Sequence, residues 1–154
     1  MYGGIILALV CSLPLLRVTQ VGPGAFWDAA TITLLAGTIF TRIGCLLNGC
    51  CGGRATSSSL GLDLPNEKGI YRKRFPTQLL EAAIAVIVLV AALSWTSRPF
   101  EGALFLAALG VFCAARLALG PTRESLGTLA GINLYNAVSA LLILFSITGF
   151  AFNF

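Results

Sequence analysis

An all-α bundle of about five transmembrane helices is the fold class this chain predicts, and three observations predict it. Of 154 residues, 57% are hydrophobic and only 10% are charged, against about 25% charged in ordinary soluble domains, and the mean hydropathy is +0.91. Five apolar runs recur along the chain, separated by pieces rich in Gly, Pro, Ser and charge. The longest polar interval, Asn48 to Pro76, is too short to hold a soluble domain. Backbone in hydrocarbon must satisfy its own N–H and C=O groups, which a helix does and an open strand does not. The reading is one integral-membrane helical domain over residues 1–154, with a polar loop at about 48–76.

The first run, Ile5 to Leu16, follows Tyr2-Gly3-Gly4, is interrupted by Pro14 and is closed by Arg17. It is short of the ~20 residues a span needs, so Gly3, Gly4 and a snorkelling Arg17 must count toward it. A cleaved signal peptide would carry a basic start and a small-x-small exit, and this run lacks the first and shows the second poorly. Gly22-Pro23-Gly24 reads as a turn and Phe26-Trp27 as an aromatic belt at the interface. Asp28 then caps the second run, Asp28 to Leu47, because a carboxylate accepts the free N–H groups of a first turn and opposes the dipole. Thr56-Ser57-Ser58-Ser59 and Pro65-Asn66-Glu67-Lys68-Gly69 are loop composition. Pro76 opens the third run, which ends at Trp95, proline being suited to a helix start. Arg98-Pro99 turns the chain into the fourth run, Gly102 to Leu119, which Gly120-Pro121 ends. Leu126 to Phe152 is the last run.

Charge and residue types narrow the function. The net charge of +4 is modest, and no basic face on a soluble module exists to bind nucleic acid. Arg72-Lys73-Arg74 reads either as a juxtamembrane contact to anionic lipid or as a solvated flank. The chain has no histidine, which removes imidazole proton transfer and His-containing metal sites. Cys11 and Cys113 lie in apolar runs and read as small buried hydrophobes. Cys45, Cys50 and Cys51 lack a second pair at zinc spacing, so neither a metal nor a cofactor is expected; a disulfide or reactive thiol there remains open.

Arg42 is the costly residue, since a guanidinium at the edge of an apolar run needs a partner or a wet pocket. It begins the stretch Arg42-Ile43-Gly44-Cys45-Leu46-Leu47-Asn48-Gly49-Cys50-Cys51-Gly52-Gly53-Arg54, in which small residues, an asparagine and arginines at a membrane face suit an anionic lipid headgroup. Gln78 and Glu81 stand one helical turn apart, and Glu81 should face inward and pair, with an arginine as the natural partner. Arg116 and Arg123 are about two turns apart, with Pro121 between them.

These pieces resemble, in order and spacing, the prolipoprotein diacylglyceryl transferases. Arg42, Gly44, Leu47, Asn48 and Gly53 keep that family's signature loop, while Thr41, Cys45, Leu46 and Cys50 stand where it has Gly, Asn, Phe and Glu. Gly53-Arg54-Ala55-Thr56 is similar to its Gly-Arg-Pro-Thr piece. Pro76, Thr77, Gln78, Leu79 and Glu81 match its His-Pro-Ser/Thr-Gln-Leu-Tyr-Glu, with Phe75 for His and Leu80 for Tyr. Tyr2-Gly3-Gly4 occupies the place of its His-Gly-Gly, so the chain is expected to begin where the family's third helix begins. Asp28 has a counterpart, the Arg116/Arg123 interval is shared, Gly120 replaces a Glu, and Asn136-x-x-Ser139 echoes a Gln-x-x-Ser pair that reads equally well as polar residues bridging helices.

The resemblance implies transfer of a diacylglyceryl group from phosphatidylglycerol to the lipobox cysteine of a prolipoprotein signal peptide, in a multi-pass protein of the bacterial cytoplasmic (inner) membrane. It implies catalytic roles for Arg42, Arg116, Tyr2 and Glu81, and substrate binding by Arg42, Gly44, Asn48, Gly53, Arg54, Gln78, Arg123, Gly3 and Gly4. A positive-inside count puts the long loop in the cytoplasm, whereas the family places it outside. Tyrosine, with a reference pKa of about 10, is a weak base in the family histidine's place, which leaves Glu81. The alternative is a non-catalytic lipid-binding or thiol-redox protein on the same bundle, and five helices leave a flank that a second copy or a partner chain would cover.

Overall fold

The computed structural model describes residues 2–65, 69–122, 128–129 and 132–152, with residues 2–6, 8–9, 13, 128–129 and 132–135 described by backbone alone. Helices α1 (Tyr2–Thr19), α2 (Pro23–Leu47), α3 (Thr77–Ser94), α4 (Ala103–Ala118) and α5 (Leu134–Phe152) dominate it. Among them α2 and α3 are long and apolar enough to cross a membrane, and α4 is a shorter apolar helix. The polar loop contributes a hairpin, β1 (Leu62–Pro65) against β2 (Tyr71–Arg74), antiparallel with Leu62 opposite Arg74. A second, minimal pair joins β3 (Thr128–Leu129) and β4 (Ile132–Asn133). The all-α expectation is thus supplemented by two small hairpins outside the helices.

Burial is distributed as in a lipid-embedded bundle. The apolar core is small, with Leu35 on α2, Val88 and Ala92 on α3, and Leu104 and Ala108 on α4 packed together. Arg42, Thr77, Gln78, Glu81 and Asp28 are also buried, while Leu34, Phe40, Ile87, Val90, Leu93 and Leu144 are exposed. So many large apolar side chains on the surface suit lipid better than water, and helices in lipid associate through small residues and polar contacts. Gly110 illustrates this: Ser146 Oγ donates to Leu106 O at 2.8 Å, and a Cβ at Gly110 would lie 2.7 Å from that hydroxyl. On α2, Thr31, Thr38 and Thr41 turn their hydroxyls back onto the carbonyls four residues earlier, as hydroxyls on a helix do when no water is at hand.

Several element boundaries correct the sequence reading. Pro23 is the first residue of α2 rather than part of a turn, with Gly22 before it, the N1 position that proline's fixed φ favours. Asp28 therefore lies inside α2 and does not cap it; its carboxylate instead accepts Gly102 N–H at 3.1 Å and Phe105 N–H at 2.9 Å, capping α4. The α4 start needs this help, since Gly102 sits at φ +96° and offers no side chain. Helix α1 continues through Pro14. Helix α5 begins at Leu134, not Leu126. Trp27 packs on Phe105 at 5.2 Å between ring centres, which makes it a helix–helix contact. Cys113 is buried as expected, but Cys11 is exposed.

Candidate functional site

The signature loop is fixed to the start of α3 by backbone and side-chain bonds. Gly53 N–H donates to Phe75 O at 3.0 Å, Phe75 N–H to Arg54 O at 3.1 Å, and Arg54 N–H to Thr122 O at 2.8 Å, in the 3-10 turn Gly120–Thr122 that follows α4. Gln78 Nε2 donates to Cys50 O at 2.8 Å and Thr77 Oγ1 to Cys51 O at 3.2 Å. The loop thus joins the C-terminal ends of α2 and α4 to the N-terminal end of α3. Gly53 is required at the crossing, because a Cβ there would fall 2.6 Å from Phe75 O and 2.7 Å from Thr122 O, closer than packed atoms approach.

Directly beneath this loop Arg42 Nε lies 2.6 Å from Glu81 Oε2, with side chains 7% and 4% exposed. The arginine partner that the sequence led us to expect for Glu81 is Arg42. The Nε contact is an ion pair without hydrogen-bond alignment, and Gln78 Oε1, one turn away, is buried with no partner among the described residues. Buried polar groups are nearly always satisfied, so this amide oxygen beside an ion pair is a point at which a further group can bond.

Arg116 is half-buried in the last turn of α4. Because Asp28 meets the start of α4, α2 and α4 run parallel, and the same number of residues separates Asp28 from Arg42 as Gly102 from Arg116, about 21 Å of helical rise. The two arginines therefore stand at the same level of the bundle. Arg54 and Asn48 are exposed. Gly44 is exposed on α2, where an added Cβ would meet no other part of the described residues within 4 Å. Tyr2, Gly3 and Gly4 form the first turn of α1, described by backbone alone. Arg123 lies outside the described residues.

One feature escaped the sequence reading, and a second goes further than it. Arg74 is not a solvated flank: it is 6% exposed and its Nη1 donates to Gly53 O at 3.3 Å, whereas Arg72 and Lys73 are exposed. The second is the thiol group, for Cys45, Cys50 and Cys51 bring their sulfurs within 4.8 Å of one another, all as free thiols. Desolvation pushes the Cys50 thiol up, but hydrogen bonds from Asn48, Cys45, Cys51 and its own backbone outweigh it and hold Cys50 below its usual value. Desolvation and the neighbouring thiols push Cys51 up to about 11. A cavity of about 560 Å³ opens at the other end of the bundle, walled by Asp28, Ile32, Arg98 and Glu101; it is remote from the signature loop.

The model of the family described as prolipoprotein diacylglyceryl transferase matches residues 1–152. Three curated relatives, each named phosphatidylglycerol–prolipoprotein diacylglyceryl transferase, are similar to this chain. That of Tropheryma whipplei (strain Twist) is 31% identical over 134 residues, covering 80% of this chain and 49% of its own length. That of Hydrogenovibrio crunogenus is 33% identical over 117 residues, 72% and 44% of the two lengths. That of Dehalococcoides mccartyi (strain 195) is 28% identical over 156 residues, 98% and 60%. The chain spans about half the length of the curated relatives it matches. No solved structure matches it.

Proposed function

Since this chain belongs to the prolipoprotein diacylglyceryl transferase family, a family of membrane proteins, we propose that it transfers the diacylglyceryl group of phosphatidylglycerol to the lipobox cysteine of a prolipoprotein. The observation that carries this reading is the buried Arg42–Glu81 pair beneath the signature loop. In the proposed reaction the cysteine sulfur attacks the glyceryl carbon, a C–S thioether bond forms, and the C–O bond to phosphate breaks. The electron pair leaves on the phosphate oxygen, and the thiol proton passes to a base. Fixed positive charge aimed at the leaving phosphate is the largest catalytic contribution available, and Arg42 supplies it, with Arg116 at the same level and Arg123 in the family's position. Glu81 is the buried carboxylate near the site. On arrival the lipid phosphate competes with Glu81 for Arg42, so the carboxylate gains freedom to take the proton as the leaving group gains its counter-charge. Tyr2 replaces the family histidine at the start of α1 and serves as donor or positioning group. Gln78 and Gly53 hold the loop, while Gly44, Asn48 and Arg54 face outward, toward headgroup and peptide.

We assign the protein to the bacterial inner membrane as a multi-pass bundle of five spans, with its open flank facing lipid, a second copy or a partner chain. The competing thiol-redox reading has the three clustered thiols in its favour. Incubation with phosphatidylglycerol vesicles and a model prolipoprotein, followed by mass spectrometry, separates the two. A diacylglyceryl adduct that is lost in Arg116→Ala is expected; no adduct from the wild-type chain would overturn the transferase assignment.

A further inference from the structure

Cys45, Cys50 and Cys51 are not explained by lipid transfer, since the family has Asn and Glu at the first two of these positions. Chain spacing alone argued against a metal. In three dimensions Cys45 closes the last turns of α2, and Cys50 and Cys51 follow the turn after it, with Cys50 N–H bonded to Cys45 O at 3.1 Å. Cys51 takes φ +60°, a conformation non-glycine residues adopt only when their surroundings hold them there. The carbonyls of Cys50 and Cys51 are themselves gripped by Gln78 and Thr77 from α3. Three sulfurs are thus converged by a backbone anchored at both ends, the kind of support that pre-organises a ligand set.

The geometry points to a three-thiolate site for a single soft, thiophilic cation, zinc(II) or copper(I). All Sγ atoms lie within 4.8 Å of one another, and zinc–sulfur bonds of about 2.3 Å in tetrahedral geometry place sulfurs roughly 3.8 Å apart, so side-chain rotation of an ångström or less closes the site. No other His, Cys, Asp or Glu among the described residues joins the group. Copper(I) is satisfied by three thiolates, whereas zinc keeps a fourth position open to water or an incoming thiol. A disulfide accounts for the cluster less well. It would use two sulfurs and leave the third idle, and adjacent Cys50 and Cys51, with Cα atoms about 3.8 Å apart across a trans peptide, fall short of the usual disulfide span of at least ~4.4 Å.

The test uses the purified, reduced full chain in detergent micelles. Cobalt(II) titration reads the zinc-type site through thiolate-to-metal absorption, and copper(I) titration against a chelator reads the other. One equivalent of either metal per chain is expected, with alkylation of Cys45, Cys50 and Cys51 suppressed in the loaded wild-type protein. Each of Cys45→Ser, Cys50→Ser and Cys51→Ser should weaken binding at least about tenfold, the loss that even an outer partner of a ligand causes. Cys11→Ser and Cys113→Ser should bind as wild type. Binding well below one equivalent, binding that survives Cys50→Ser, or unchanged alkylation of the metal-treated wild type would each overturn the proposal.

Discussion

Two carboxylates, Asp28 and Glu81, are almost equally buried, at 4% and 3% exposure, yet they are treated differently. Asp28 is closed on three sides: it caps α4 through Gly102 and Phe105 and meets Arg98 Nη1 at 3.4 Å. Its arginine is 37% exposed, so that ion pair adds little, because solvent screens it. Glu81 faces an arginine that is itself buried, with an unaligned Nε contact, and Gln78 Oε1 nearby has no partner among the described residues. The first end of the bundle spends its carboxylate on architecture. The second buries a charge pair where the signature loop crosses. Burial of an acid in a membrane protein is thus no marker of chemistry by itself; what it is buried against discriminates better, backbone N–H groups of a helix start for Asp28 and a buried guanidinium for Glu81.

Arg42→Ala should break this contrast most strongly. Removing one member of a buried ion pair costs about 3–5 kcal/mol, and removing a donor to the developing phosphate charge costs about 10²–10³-fold in turnover. Thermal unfolding in detergent and the adduct assay read the two losses. The double change Arg42→Met with Glu81→Met should recover most of the stability and none of the activity. Asp28→Ala should show the opposite profile. It removes the acceptor of two backbone N–H groups, worth about 1–3 kcal/mol, so unfolding should come earlier while turnover per folded molecule stays at the wild-type value. Loss of turnover at wild-type stability would erase the distinction between the two ends.

Glycines sharpen the comparison within the site. Gly53→Ala drives a methyl into Phe75 O and Thr122 O and should cost about 1–3 kcal/mol by overpacking, together with activity, because the loop shifts. Gly44→Ala meets open space and should gain up to about 1 kcal/mol of helix stability while raising the KM for lipid, the signature of a surface against which substrate lies. The smallest effect is chemical. In metal-free protein, raising the pH from 7 should convert Cys50 to thiolate first, since its pKa is lowered, while Cys51, at about 11, stays protonated. Timed iodoacetamide labelling with peptide mass spectrometry should therefore find Cys50 modified ahead of Cys51, with the gap narrowing as pH rises.

Much of the helical layout was legible in the chain because apolar run length and Gly/Pro punctuation act locally. The α3 start at Pro76-Thr77 and the α4 end at Gly120-Pro121 were read to within a residue or so. Asp28 was misread because a carboxylate's preference for helix N-termini says nothing about which helix. Arg74 was misread because nothing in a run of three basic residues shows that only the last lies under the crossing signature loop, where its guanidinium meets Gly53 O. The three cysteines stood out as a group in the chain, but the convergence of all three sulfurs was not legible, because residues five and six apart meet only after a tight turn.

Sequence alone determined that this chain is an apolar helical bundle of a recognisable family, since hydropathy and motif spacing are properties of the string. It also showed that Arg42 needed a partner, because a guanidinium near hydrocarbon always does. Only tertiary structure decided which carboxylate answers Arg42, that Asp28 caps a helix distant in the chain, and that three thiols meet. Each of those depends on which helices lie side by side, and side-by-side packing is a long-range outcome that no local pattern encodes.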